Sequence, residues 1–449
     1  MTLLALLGLA VAVPRRAPML RSLDLASGPG RSDRVLIVKL TEGQVLAGDL
    51  AVLLDGATPL FSRPPEVLRA DRRVFDPEGR LADLSGYLRI VTDDPVSLGQ
   101  RLRSDPRIET AYLAFQAMPP PVDISPTTPD FTALQTYAGP APTGLGFDEA
   151  SRWPGGGGAN VAIADIEYGW DPEHEDLDHL TPGAAWGWDS GSYAYHGTAV
   201  LGQLAAGDNG YGITGMAPEA DVFVVSPYTD AGDYSVAAAL DGAASLLDAG
   251  DVILIEQQTY AYGNYAPVSA DPAVFDAIAA AVAKGIVVVE AGGNGSQDLD
   301  DPKWEGWFDR SIRDSGAIMV GGGASPYSGS TPRTWYTWGS SYGSRIDVQG
   351  WYDSIVTTND ATMANLFFPS DDRQGYTDYF GGTSGASPMV AAAAAVANSI
   401  AWELWGTPWD PYDLRAALSS TGTPQPSTDG YSIGPQPDLR RLLMTYGVR

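Results

Sequence analysis

Few side chains in this 449-residue chain could do covalent chemistry, because it has three histidines and no cysteine. Without Cys there are no thiol nucleophiles, disulfides or Cys-ligated zinc or iron–sulfur centres. His174 and His179 fall in HEDLDH, one residue longer than the zinc motif HExxH. A spacing of five does not bring both rings onto one helix face, which argues against a zinc protease. His196, in YHGTAVLGQL, remains, and Gly197 beside it permits close approach of another backbone. A serine candidate stands in Gly382-Thr383-Ser384-Gly385-Ala386-Ser387-Pro388, just before the helical run MVAAAAAVANSIAWELW. A Ser in a tight Gly-flanked turn into a helix holds its Oγ clear of the backbone, and the helix N-terminus offers N–H groups to a developing oxyanion. Serine is also a common helix N-cap, so Ser384 alone reads as a cap.

The elements that would position these residues follow from hydropathy. VAIAD (Val161–Asp165), VFVVS (Val222–Ser226), VILIE (Val252–Glu256), IVVVE (Ile286–Glu290) and AIMVG (Ala317–Gly321) are short, fully apolar strands. Between and after them lie helical stretches at Val236–Ala249, Pro272–Lys284 and Ser384–Trp405. The alternation predicts an α/β fold: a doubly wound, mostly parallel sheet with helices on both faces. Ligands bind such sheets at the carboxyl ends of the strands, where Asp165, Glu256 and Glu290 stand. Chain order then limits the mechanism. No His follows Ser384, which excludes the Ser…Asp/Glu…His order of α/β-hydrolases, and the pattern is not the all-β one of chymotrypsin-like enzymes. The order Asp165…His196…Ser384 is left.

With these residues in view, VAIADIEYGWDPEHEDL, HGTAVLGQLAA, VVVEAGGNGS and GGTSGASPMVA resemble the four signature blocks of subtilisin-like serine proteases, the subtilases, in family order. The resemblance covers roughly residues 151–449. It implies Ser384 as nucleophile, His196 as general base and then acid, and Asp165 as the group that orients the imidazole. Asn294 in AGGNG matches the amide donor of the oxyanion hole, the Ser384 N–H being the second donor. It implies no cofactor for catalysis, and Ca²⁺ as a structural ion.

The chain departs from the pattern in three places. The family has a small residue and then Gly after the catalytic Asp, whereas Ile166 and Glu167 follow Asp165. The strand lining the substrate cleft normally ends Ser-Leu-Gly-Gly; here it ends Glu256-Gln257-Gln258-Thr259. The strand before Asn294 ends in Glu290. Glu256, Gln257, Gln258, Glu290, Gly292 and Gly293 are the expected substrate-binding residues. Glu256 and Glu290 either charge the S1 pocket for a basic P1 residue or turn to polar networks away from it. Acid clusters at Asp171–Asp178, Asp298–Asp301 and Asp371-Asp372 are the calcium candidates, though none has EF-hand spacing.

Four segments are expected. Residues 1–20 read as a signal peptide, with Leu3–Val13 as its apolar core and Ala10-Val11-Ala12 as an A-x-A-like cleavage site, although no basic residue precedes it. Residues 30–118 form a small α+β unit with strands at Val35–Leu40, Gly86–Thr92 and Glu109–Phe115 and a helix at Pro95–Asp105; its position resembles the family's prodomain. Residues 119–150 are a Pro-rich linker or extension, with a processing region near Phe115–Pro121, and 151–449 are the catalytic domain. With 27 basic and 55 acidic residues the net charge is −28, which repels nucleic acid. The expected protein is a secreted monomer, extracellular or periplasmic and free of the membrane when mature. It would be made as a self-processing zymogen inhibited by its own prodomain, and would act on proteins or peptides as a serine endopeptidase. Two other readings stand beside it: a catalytically silent peptide-binding relative, and an acid-pair glycosidase using strand-end carboxylates.

Overall fold

A computed structural model describes residue 25 and residues 31–76, 82–115, 123–337, 339–426 and 430–447. The chain divides into two compact units, Met1–Pro120 and Pro121–Arg449. The expected signal segment and most of the expected processing region lie outside the described residues.

In the first unit, β1 (Arg31–Leu40), β2 (Thr58–Pro59), β3 (Tyr87–Val91) and β4 (Ile108–Phe115) make an antiparallel sheet of order β2-β3-β1-β4. Helices α1 (Gly48–Leu53), α2 (Pro65–Phe75) and α3 (Pro95–Arg103) accompany it. Alternate residues of β1 face one side, so Leu36, Val38 and Leu40 pack with Leu88, Ile90, Ala111, Leu113 and Leu102 in a single core. Register brings Val38 opposite Leu88 and Ala111. The helix α2 was not legible in the sequence, because Leu68 is the one buried residue of PEVLRADRRVF.

The second unit begins with the Pro-rich stretch, which is folded rather than a free tether. The Gln374 side-chain amide donates to the carbonyls of Ile124 and Pro126. Tyr137 is wholly buried and donates to the Val356 carbonyl. A short α4 (Phe147–Ala150) follows. The main sheet contains β5 (Ala162–Ile166), β6 (Ala184–Trp186), β7 (Asp221–Val225), β8 (Val252–Ile255), β11 (Val287–Ala291), β12 (Ile318–Gly323) and β13 (Val348–Trp351), and a hairpin of β9 (Gln258–Ala261) and β10 (Asn264–Pro267) follows β8. Its order is β13-β12-β11-β8-β5-β7-β6, and neighbouring strands run parallel. A second antiparallel pair, β14 (Ile355–Thr358) and β15 (Tyr376–Phe380), lies further along the chain.

The period of two divides the apolar strands between the two faces of the sheet. Ile163, Val224, Leu254 and Val289 pack with residues of α5 (Ala194–Ala205) and α8 (Thr383–Trp405). Ala164, Ile166, Val225, Ile255 and Val288 pack with α6 (Val236–Leu246) and α7 (Pro272–Ala283). This is the expected doubly wound α/β arrangement. Helix α8 is buried from Thr383 to Ala401, and its alanines let it lie close against the sheet.

One close approach fixes the start of α5. A Cβ on Gly197 would stand 2.3 Å from the Gly169 carbonyl oxygen, so the backbone after β5 lies directly on the helix. Replacing Gly197 with Ala should cost about 1–3 kcal/mol through overpacking and displace the first turn of α5. Chemical denaturation with an activity assay checks this. A variant as stable and as active as the parent would show that the contact is dispensable.

Candidate active site

The same alternation decides which acids can meet. Asp165 pairs with Leu254 in register, so Asp165, Glu167 and Glu256 lie on the sheet face covered by α5 and α8. Glu290 pairs with Ile255 and therefore faces the other side. There it accepts a hydrogen bond from the Ser269 backbone N–H at 2.8 Å. Burial pushes its carboxyl up, against a smaller lowering influence from Arg345. Glu256 and Glu290 are thus not brought together, and both are buried.

His196 sits on the first turn of α5, with its side chain 23% exposed. Its Nδ1 is 2.5 Å from Oε1 of Glu167, whose side chain is fully buried. The expected partner, Asp165, does not make this contact. Its two buried oxygens have no hydrogen-bond donor among the described residues. Asp165 is the last acid within β5, whereas Glu167 lies one residue beyond the strand, where the chain turns toward α5. A signal for this was present: Glu167 is followed by Tyr168 and then Gly169, restoring the Gly that is missing after Asp165.

Glu256 does not line the cleft. Its Oε2 is 3.8 Å from His196 Nδ1, behind Glu167. Gln257 is also buried, donating its amide to the Ile166 carbonyl at 2.6 Å and tying the ends of β8 and β5 together. Of the expected substrate-binding residues, Gln258 lines the cavity at the site and accepts from the Asn294 backbone N–H at 2.8 Å. Gly292 is held to β12 through the Val320 carbonyl. Gly293 has φ +84°, and a Cβ there would crowd the Ala266 backbone.

Ser384, in the first turn of α8, His196 and Asn294 share a cavity of about 490 Å³ with Tyr352, Phe380 and Gly382. The Thr383 N–H and hydroxyl both donate to Asn294 Oδ1, at 2.8 and 3.0 Å. That clamp commits the carbonyl end of the amide and leaves its Nδ2–H₂ beside Gly382, available as a donor. A nucleophilic hydroxyl, an imidazole with a buried anion behind it and a fixed amide donor suit acyl transfer through an oxyanion.

Burial opposes charge on His196, but the Glu167 anion and its hydrogen bond outweigh it, and the imidazole is held above its ordinary value. Burial, then the nearby Glu167, pushes Asp165 well above the carboxylate range. Burial, then Asp165 and Glu167, does the same to Glu256. His174 and His179 do not line this cavity. His174 Nε2 contacts the Gly375 carbonyl at 2.8 Å, and burial lowers its imidazole to about 4.

Glu167, His196 and Glu256 are also the one set of three potential metal donors among the described residues. The 2.5 Å contact fits a shared proton, since tetrahedral zinc ligands at about 2.0–2.1 Å stand roughly 3.3 Å apart. None of the calcium candidates brings three carboxylate or imidazole donors together among the described residues. Asp371 is paired with Arg373, Asp300 accepts from Ser344, and Asp298, Asp301 and Asp171 cap local turns.

The comparisons agree with this architecture. The subtilase family model matches residues 158–434. Subtilisin DY of Bacillus licheniformis is 29% identical over 276 residues, covering 59% of this chain and 85% of that protein. The minor extracellular protease Epr of Bacillus subtilis is 32% identical over 145 residues, 30% of this chain, and the match spans only 20% of its length. A solved protease structure from Pseudoalteromonas arctica shares the fold with a TM-score of 0.51 at 22% identity, covering 71% of this chain and 99% of that one. The chain is a serine-type peptide hydrolase by class. It belongs to the subtilase family, whose members are endopeptidases that need no cofactor for catalysis.

The contact to His196 sets an expectation. Glu167→Gln should lower kcat by about 10²–10⁴, while Asp165→Asn stays within a few-fold of the parent. A base must be neutral to act, so kcat/KM should rise with pH through a midpoint above about 6.5, and this limb should move down in Glu167→Gln. pH profiles on a chromogenic peptide check both. A crippled Asp165→Asn beside an unaffected Glu167→Gln would reverse the assignment.

Proposed function

We propose that the chain is a self-processing serine endopeptidase whose triad is Ser384, His196 and Glu167. The observation that carries the reading is the Glu167–His196 hydrogen bond behind a cavity shared by His196, Ser384 and Asn294. Ser384 Oγ attacks the scissile carbonyl as His196 Nε2 takes its proton, and His196 then returns that proton to the leaving amine. The acyl-enzyme on Ser384 is released by water activated in the same way. Glu167 holds Nδ1–H and balances the imidazolium, while Asn294 Nδ2 and the Ser384 N–H receive the oxyanion.

Residues 30–118 act as a prodomain in this reading, supported by their α+β fold and their place before the catalytic unit. Cleavage falls between this unit and the folded segment that begins near Asp123. The substrates are proteins or peptides, and the mature enzyme works as a secreted monomer. One relative is extracellular by name, and no helix among the described residues is long and apolar enough to cross a membrane. The acid-pair glycosidase reading loses its basis, because Glu256 and Glu290 are buried on opposite sides of the sheet and neither lines the cavity.

Intact mass followed over time tests the proposal. Purified wild type should lose its N-terminal unit, while Ser384→Ala stays full length. Two full-length proteins, neither cutting casein, would favour a silent peptide-binding protein.

A further inference from the structure

Three carboxyls, Asp165, Glu167 and Glu256, lie on one face of the sheet, and two of them approach His196 Nδ1, Glu167 at 2.5 Å and Glu256 at 3.8 Å. We infer that Glu256 is a positioning residue: its carboxyl keeps a proton and donates it in a hydrogen bond to Glu167, fixing the orientation in which Glu167 accepts His196 Nδ1–H. The inference rests on His196 being the catalytic base.

Geometry carries it. The Glu256 side chain is fully buried, with Oε2 3.8 Å from His196 Nδ1, and one donor atom each of Glu167, His196 and Glu256 lie within 4.8 Å of one another. Among the described residues, no N–H or O–H outside the acid cluster donates to either oxygen of Glu256 or of Asp165. The amide that could have served, on Gln257, is spent on the Ile166 carbonyl. A buried carboxylate without donors is among the costliest groups a fold can hold, whereas a carboxylic acid needs only one acceptor for its proton.

The surrounding charges lead to the same answer. From β5 comes Asp165, from the turn after it Glu167, and from α5 His196; the charges acting on Glu256 are those of Asp165 and Glu167, and no Lys or Arg is among them. His196 can neutralise one anion, and Glu167 at 2.5 Å is placed to be that anion. Neighbouring carboxyls in such a setting cannot all ionise, so Glu256 and Asp165 retain protons. Three contacts on Glu167, the Nδ1–H of His196, the Tyr168 backbone N–H at 3.1 Å and the hydroxyl of Glu256, then hold it against rotation. The Ser of the family pattern at this position is replaced by a side chain long enough to reach the triad acid.

The experiment follows the His196 ring by NMR in Ser384→Ala protein, with kinetics on the matching Ser384 enzymes. Glu256→Gln keeps a donor and adds no charge, so the His196 midpoint should stay within about 0.3 pH unit and kcat within a few-fold. Glu256→Leu removes the donor. It should broaden the low-field Nδ1–H signal and lower kcat about 10–100-fold at unchanged KM, the loss expected of a hydrogen bond to a charged group. A fall of one pH unit or more in Glu256→Gln would mean that Glu256 is an anion, and would overturn the inference. So would Glu256→Leu with its signal and kcat intact. Because the NMR arm needs no turnover, failure of the protease reading would show separately, as wild type that cuts nothing while the ring data still report the proton.

Discussion

Three carboxyl groups share one sheet face with a single imidazole, and the interior cannot hold all of them as anions. Asp165, Glu167 and Glu256 are there because side chains alternate along β5 and β8, so residues two apart point the same way. One negative charge is matched by His196, and the contact with Glu167 at 2.5 Å selects which. The other two acids remain compatible with the core as neutral groups, which carry no charge to desolvate. Family members with one acid in this place face no such problem. Here the identity of the triad acid and the state of its neighbours are a single question.

The rest of the unit makes that contact persist. Helix α5 is pinned by the near-touching backbones at Gly197 and Gly169, and by the Asp171 N–H donating to the Thr198 hydroxyl at 2.9 Å. The Thr357 and Thr358 hydroxyls on β14 donate to the carbonyls of Ala199 and Thr198, locking the same helix from its other side. Helix α8 is buried from Thr383 to Ala401, and its first turn, carrying Ser384, borders the cavity. Raising the imidazole above its ordinary value also links the site to folding. That contribution is fully present below about pH 6.5 and is lost as pH rises through the folded value.

The doubly wound fold was legible because five strands are unbroken apolar runs bounded by turn residues. The edge strands β6 and β13 escaped notice, one being only three residues long and the other interrupted by Gln349 and Gly350. His196, Ser384 and Asn294 stood out in the sequence because few other residues offered their chemistry, and the structure brings them to one cavity. The acid was not. Asp165 ends an apolar run and is an aspartate, so both strand logic and residue type favoured it over Glu167. Distinguishing two acids on one face requires knowing where the strand stops, and the Gly two residues after Glu167 was the one local sign. Glu256 was read as a cleft residue for the same reason: strand ends are recognised in sequence, but the direction of a side chain depends on register. Proline content suggested a linker or extension from 119 to 150, and Tyr137, Leu145 and Phe147 of this stretch are buried in the second unit.

Neutron diffraction from crystals exchanged into deuterated solvent near neutral pH would test the central claim most directly, by locating the protons of the cluster. The account predicts a deuteron on His196 Nδ1 directed at Glu167, and deuterons on the carboxyls of Glu256 and Asp165, with Glu167 bare. An imidazole turned to a bare Asp165, or Glu256 without a deuteron beside a protonated Glu167, would contradict it.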